Sequence, residues 1–176
     1  MRKFRRGIRD FTLKLDSDPA AREVIADLND ALRTEHWEEI VFCGYGEPTT
    51  RLSTLLEIAR WITRHVHTPI RVNTNGHASI LHPKLKVAQE FKEAGVRALS
   101  VSLNAHNPAV YNDVCQPRFE NAFESVLKFI EEARATGLTV EITAVAIPEV
   151  KISAVAKIAS NLKVNFRARH YQPCVW

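Results

Sequence analysis

The sequence predicts an α/β fold built on a parallel sheet, and three observations predict it. Short apolar or β-branched runs alternate with longer amphipathic stretches, at the spacing of about 30 residues that repeated βαβ units need. Gly95 and Gly137 stand where two helices should be capped at their C-termini. Each apolar run also leads straight into a polar or glycine-bearing turn, which gathers those turns at one edge of the sheet. Right-handed crossovers then leave two architectures, an open doubly wound sheet or a barrel.

Taken in order, Phe11–Leu15 is a short, half-polar strand candidate, and Pro19–Leu32 is the first helix, with Pro19 in its first turn behind the capping residue Asp18. Glu39–Cys43 is the first strong strand. Arg51–His65 places Leu52, Leu55, Leu56, Ala59 and Ile62 on one helical face. Ile70–Asn73 is a strand, Pro83–Ala94 a helix and Ala98–Leu103 a strand. Asn121–Arg134 carries the stripe Phe123, Val126, Leu127 and Ile130. Thr139–Val145 and Val164–Ala168 are strands around a last helix, Lys151–Leu162, with Ile152, Val155, Ala156 and Ala159 on its apolar face.

Length and composition narrow the class. A chain of 176 residues, 45% hydrophobic and 25% charged, is one ordinary globular domain. No apolar run approaches the roughly 20 residues that span a bilayer, and no apolar segment follows the basic start as in a secretory signal. An Arg-rich start also fits a transit peptide, but Asp10 and Asp16 follow quickly and serine is scarce; the expectation is a cytoplasmic protein. The net charge of +4 is local, because Met1–Asp10 holds five bases against one acid and the rest of the chain is balanced. That arm is a candidate phosphate contact or, more simply, a solvated tail or displaced loop. Cys43, Cys115 and Cys174 lie far apart, with no CxxC pair and no metal-ligand spacing. Cys43, in an apolar strand, reads as a small buried residue.

The turns hold the residues able to do chemistry. Gly44-Tyr45-Gly46-Glu47-Pro48-Thr49 follows the first strong strand and Asn73-Thr74-Asn75-Gly76-His77 the second. Ser102, Asn104, Val145 and Arg169 lie at the ends of the next three. In parallel β/α proteins this edge is where ligands bind. Each residue also has a plainer reading: the glycines serve a tight turn, Glu47 pairs with Arg51, Asn75-Gly76 is a turn dipeptide, Arg169 anchors an acid of its own fold, and His77 and His106 are solvated. Ser102 and Asn104 alternate along one strand face, so both point inward.

Gly44-Tyr45-Gly46-Glu47-Pro48-Thr49 resembles the GGEP motif of radical S-adenosylmethionine (radical SAM) enzymes, with Tyr45 in place of its first glycine. Asn73-Thr74-Asn75-Gly76 resembles the TNG turn that those enzymes carry one βα unit later, and Ser100–Ala105 is similar to their next strand. The order agrees from Phe11 to Pro173, and the wording is most similar to the TatD-linked radical proteins. The resemblance implies a partial (β/α)6 TIM-like barrel over residues 11–176, holding S-adenosylmethionine beside a [4Fe–4S] cluster. The reduced cluster, fed by a donor such as flavodoxin or ferredoxin, cleaves the sulfonium, and the resulting 5′-deoxyadenosyl radical abstracts hydrogen from a substrate. By that resemblance Gly44, Gly46, Glu47, Pro48, Asn73, Asn75, Ser102, Asn104 and Val145 meet the cofactor. Arg169 does so too, closing the substrate end of the mouth with Tyr171.

One part of the family pattern is missing. A CxxxCxxC loop supplies the three thiolates of the family's cluster, and none occurs here. In the family that loop precedes a segment like Arg2–Phe11. The expectation is therefore a truncated copy, without its first strand and cluster loop and inactive as written, whose reading frame begins upstream or whose gene has lost that strand. A barrel that binds S-adenosylmethionine or a partner without catalysis is the alternative, and a nucleic-acid binder acting through the basic arm ranks last. Loss of a strand also exposes the edge of Glu39–Cys43 and invites dimerisation.

Overall fold

The computed structural model describes residues 17–34, 36–44 and 46–171. The strand candidate Phe11–Leu15, the basic arm, Tyr45, Cys174 and the turn beyond Tyr171 lie outside these residues. The described elements, in order, are α1 (Ala21–Thr34), β1 (Ile40–Phe42), α2 (Leu52–His65), β2 (Ile70–Thr74), α3 (Ala78–Leu81), α4 (Val87–Glu93), β3 (Val96–Ser102), α5 (Pro108–Cys115), α6 (Ala122–Ala135), β4 (Thr139–Ala146), α7 (Ile152–Leu162) and β5 (Asn165–His170). A 3-10 turn, Pro48–Arg51, precedes α2.

Among the described residues, the strands form one parallel sheet of five in sequential order β1-β2-β3-β4-β5. That order decides between the two architectures. A doubly wound sheet reverses its strand order at a switch point. Here every crossover steps the same way, and crossovers of one hand then put all helices on one face. The burial of β2 records it: Ile70, Val72 and Thr74 are covered while Arg71 and Asn73, on the other face, stay half open. This is barrel-type winding.

The core lies between the sheet and its helices. The α2 stripe is buried as the periodicity requires, with Ile58 added to it. In α6, Phe123, Val126 and Ile130 are buried, but Phe129 and Ala133 complete the face and Leu127 is only partly covered. In α7, Val155 and Ala159 are buried while Ile152 and Ala156 are half-exposed, because the helix covers the sheet next to the open strand β5. Gly95 and Gly137 follow α4 and α6 at φ +91 and +81, the left-handed conformation of a glycine C-cap.

Three local expectations are corrected. Helix α1 begins at Ala21, so Pro19 precedes its first turn. Glu23, not Asp18, accepts the Ala20 N–H at 2.7 Å. Cys43 is exposed, because the β1–β2 ladder ends at Phe42↔Val72 and Cys43 already belongs to the loop beyond it. His77 is 7% exposed, covered by α5, a helix the periodicity did not reveal.

Candidate functional site at the strand ends

The loops after β1 and β2 are joined by one carboxylate. Glu47 Oε1 accepts from the Thr49 N–H at 3.0 Å, the Thr49 hydroxyl at 2.7 Å and the Thr74 hydroxyl at 2.8 Å. Its Oε2 accepts from the Asn75 N–H at 2.7 Å. Thr49 and Thr74 are both buried, so a charged acceptor satisfies donors that burial would otherwise orphan. Glu47 does not pair with Arg51. That guanidinium instead donates to the Pro19 carbonyl at 2.9 Å and lies 3.9 Å from Asp18.

The second turn is held from behind. The Thr74 hydroxyl accepts the Gly76 N–H at 3.0 Å, and Asn75 Oδ1 accepts the His77 N–H at 3.0 Å. Gly76 has φ +83, and a Cβ there would lie 2.8 Å from Val126 Cγ1, so the turn requires glycine. His77 Nε2 bonds the Tyr111 hydroxyl at 2.9 Å, and its ring meets Phe119 edge-on at 5.4 Å. Burial lowers the His77 pKa against the opposing pull of Glu47, and burial raises that of Tyr111. The pair is therefore neutral at pH 7. His82 Nε2 donates to the Thr49 carbonyl at 2.7 Å and fixes the first loop from its other side.

These loops border a cavity of about 360 Å³ lined by Cys43, Gly44, Gly46, Glu47, Pro48, Asn73, Thr74, Asn75, Ser102 and Arg169. It brings together eight of the ten residues singled out from the sequence. Asn104 and Val145 are not among them. Asn104 lies beyond the end of β3 at φ +54, and its Oδ1 accepts the Val145 N–H at 3.2 Å, so the two residues tie the β3 loop to β4. Ser102 does face the sheet interior, 3.5 Å from the Thr143 hydroxyl. Sequence reasoning missed Thr49, Thr74, Tyr111 and the exposed thiol of Cys43.

Gly44 is informative because nothing among the described residues requires it. Its φ is not in the left-handed region, and the described atoms a Cβ would meet are those of the Gly46 backbone, at 3.8 Å. The space beside it belongs to the cavity.

A family model, the radical SAM superfamily, matches residues 15–162. The chain belongs to that superfamily. Its curated relatives include the GTP 3′,8-cyclases of Bradyrhizobium diazoefficiens, 32% identical over 106 residues, and of Nitrobacter hamburgensis, 31% identical over 106 residues. Each alignment takes in 58% of this chain and 28% of the relative. Two solved radical SAM structures share the fold. One is the FeFe-hydrogenase maturase HydG from Carboxydothermus hydrogenoformans, with TM-score 0.67 and 22% identity over 89% of this chain and 38% of that one. The other is methylornithine synthase (PylB), with TM-score 0.61 and 14% identity over 86% of this chain and 44% of that one. The sheet is thus a partial TIM-like barrel.

The residues fit the family's two cofactors unequally. For S-adenosylmethionine there is a polar cavity with an open glycine flank. For an iron–sulfur cluster, the described residues contain no group of three His, Cys, Asp or Glu side chains able to hold a metal. Cys43 is exposed at the mouth, and burial pushes the half-covered Cys115 thiol up to about 11, away from the thiolate a cluster needs. Among the described residues no helix is long and apolar enough to cross a membrane.

Proposed function

We propose that this chain is the S-adenosylmethionine-binding body of a radical SAM enzyme, with the cofactor seated in the cavity at the strand ends. The supporting observation is Gly44, whose missing side chain leaves room toward the cavity and relieves no clash among the described residues. In this reading Gly44 and Gly46 let backbone approach the methionine portion, and Pro48 fixes the exit of that loop. Glu47 holds the two loops in register and keeps the free side of Oε2 for the cofactor's ammonium. Asn73, Asn75 and Ser102 supply hydrogen bonds to ribose and carboxylate. The Asn104–Val145 bond shapes the border of the adenine. Arg169 closes the substrate end.

S-adenosylmethionine held by these residues would be the source of radical chemistry only where a cluster lay beside it. The thiolates for such a cluster are not among the described side chains, so these residues bind, orient and shield. The chain spans 28% of the length of the curated relatives it matches, and the catalytic cycle of the whole protein, with its electron donor, belongs to this proposal. A second reading has the chain bind S-adenosylmethionine without turning it over.

Calorimetric titration tests the binding claim: S-adenosylmethionine should give heat with this chain, and no heat removes both readings. Anaerobic iron–sulfide reconstitution of this chain, beside one extended upstream to include a CxxxCxxC loop, separates them. Cleavage of S-adenosylmethionine by the extended form alone supports the enzyme; cofactor binding without cleavage by either supports the binding barrel.

A further inference from the structure

The face of the sheet opposite the described helices is mostly polar, with Val41, Ala98 and Val145 among its side chains, in contrast to the branched apolar filling of an ordinary barrel interior. Its charges are mostly matched. Arg71 Nε and Nη2 donate to Glu39 Oε2 at 2.9 and 2.7 Å, and its Nη1 donates to Asn73 Oδ1 at 2.6 Å. Arg167 Nε reaches both oxygens of Glu141 at 3.0 and 3.2 Å, while its Nη2 donates to Oε1 at 2.9 Å. That leaves Arg167 Nη1 without a partner among the described residues. Arg169, two positions on and so on the same face about 6.6 Å away, has neither an ion pair nor a hydrogen bond among them.

Placement sets Arg169 across the mouth of the proposed cofactor seat from the glycine loop. Arg169 is on β5, opposite Val145, while the glycine loop leaves β1 at the other end of the strand order. In a flat sheet four steps of about 4.8 Å would put these strands about 19 Å apart. That Arg169 and Gly44 line one cavity means the sheet curls to face them across it. Below the mouth lies a second cavity of about 420 Å³, bordered by Arg71, Glu141, Asn165 and Arg167, which shares no lining residue with the first. Arg169 therefore stands on the far wall of the mouth, directly above that floor.

We propose that Arg169 recognises an anionic group, carboxylate or phosphate, on the substrate. The inference rests on the mouth being the S-adenosylmethionine site and names the class of molecule that reacts beside it. Glu141 occupies the Nε and Nη2 side of Arg167, which leaves Arg169 as the cation of this strand open to the mouth among the described residues. An apolar substrate would have to desolvate Arg169 with nothing to replace its water.

The test titrates the full chain with sodium pyrophosphate and with sodium succinate, each with and without saturating S-adenosylmethionine. At least one probe should bind under both conditions. Arg169→Gln removes charge-assisted bonds worth about 1.5–3 kcal/mol, a loss of about 10-fold or more in affinity. Arg97→Gln, at the opposite end of the sheet, should change nothing. Arg169→Lys keeps the charge and should recover part of the affinity, which a folding defect would not do. Equal affinity in Arg169→Gln overturns the inference and assigns the probe to other bases such as those of Met1–Asp10. Displacement of the probe by S-adenosylmethionine also overturns it, since Arg169 would then hold the cofactor's own carboxylate. Heat from S-adenosylmethionine and none from either probe overturns the inference alone; no heat from S-adenosylmethionine overturns the mouth reading and the inference with it.

Discussion

Replacing Glu47 by glutamine asks whether this carboxylate is mainly a clamp or mainly a ligand contact. Four donors converge on it, three at Oε1 and one at Oε2. The best glutamine rotamer keeps its carbonyl at the three-donor position and turns its NH2 toward the Asn75 N–H, which in the native protein lies 2.7 Å from Oε2. Two donors then face each other, one bond is lost and three lose their charge assistance. A hydrogen bond to a charged group is worth about 1.5–3 kcal/mol, so losing one and weakening three at a half-buried site costs about 3 kcal/mol. For a chain of this length that is a drop in melting temperature of about 6–12 °C. Thermal unfolding followed by circular dichroism reads it, with Glu57→Gln, an exposed acid on α2, as the neutral comparison. A melting temperature within 2 °C of the native protein, with S-adenosylmethionine affinity lost, would refute the clamp.

Three other outcomes test the same structure. Gly95→Ala should destabilise by about 2–5 kcal/mol, since it combines a positive φ with a Cβ 2.0 Å from Thr63 Oγ1; adding Thr63→Ala should recover part of the loss, and no recovery would refute the clash. Gly44→Ala should leave the melting temperature unchanged, because the added Cβ has ordinary contacts, yet weaken S-adenosylmethionine by about tenfold or more through overpacking of the cavity. Titration calorimetry showing native affinity would remove Gly44 from the site. His77 has its pKa lowered by burial, so the unfolded chain binds the extra proton. Its contribution is present above the unfolded value of about 6.5 and is lost as pH falls below it. His77→Gln should flatten the fall in melting temperature between about pH 6.5 and 5.5, and an unchanged slope would mean that His77 is protonated in the fold.

Most of the scaffold was legible because it is periodic. Each of the five strong strands and of the helices α1, α2, α4, α6 and α7 leaves a repeat in the chain, and the two glycine C-caps mark helix ends locally. Helices α3 and α5 left less. Helix α3 is a single turn, too short to show a stripe. Helix α5 did announce itself, with Asn107 accepting the Val110 N–H as a cap and Pro108 in the first turn. Missing that signal hid Tyr111 and made His77 look solvated. Burial of polar side chains was legible only through partners distant in sequence. Thr74 lies 27 residues from Glu47 and Tyr111 lies 34 from His77, so nothing local shows that these donors are satisfied away from water.

The same distances explain why the two best motifs occur as a set. The β1–β2 register pairs Phe42 with Val72, which brings the loop beyond Phe42 alongside Thr74 and Asn75. A glutamate five residues past Phe42 then has two donors waiting on the neighbouring strand end, and two more from Thr49 in its own loop. Neither turn closes without the other: Thr74 without Glu47 is a buried hydroxyl lacking its acceptor, and Glu47 without them is a half-buried charge lacking donors. The Gly-Tyr-Gly-Glu-Pro-Thr and Asn-Thr-Asn-Gly stretches are two halves of one hydrogen-bonded unit. Their appearance in order, one βα unit apart, therefore reflects a physical requirement of this sheet edge, whichever molecule occupies the cavity it frames.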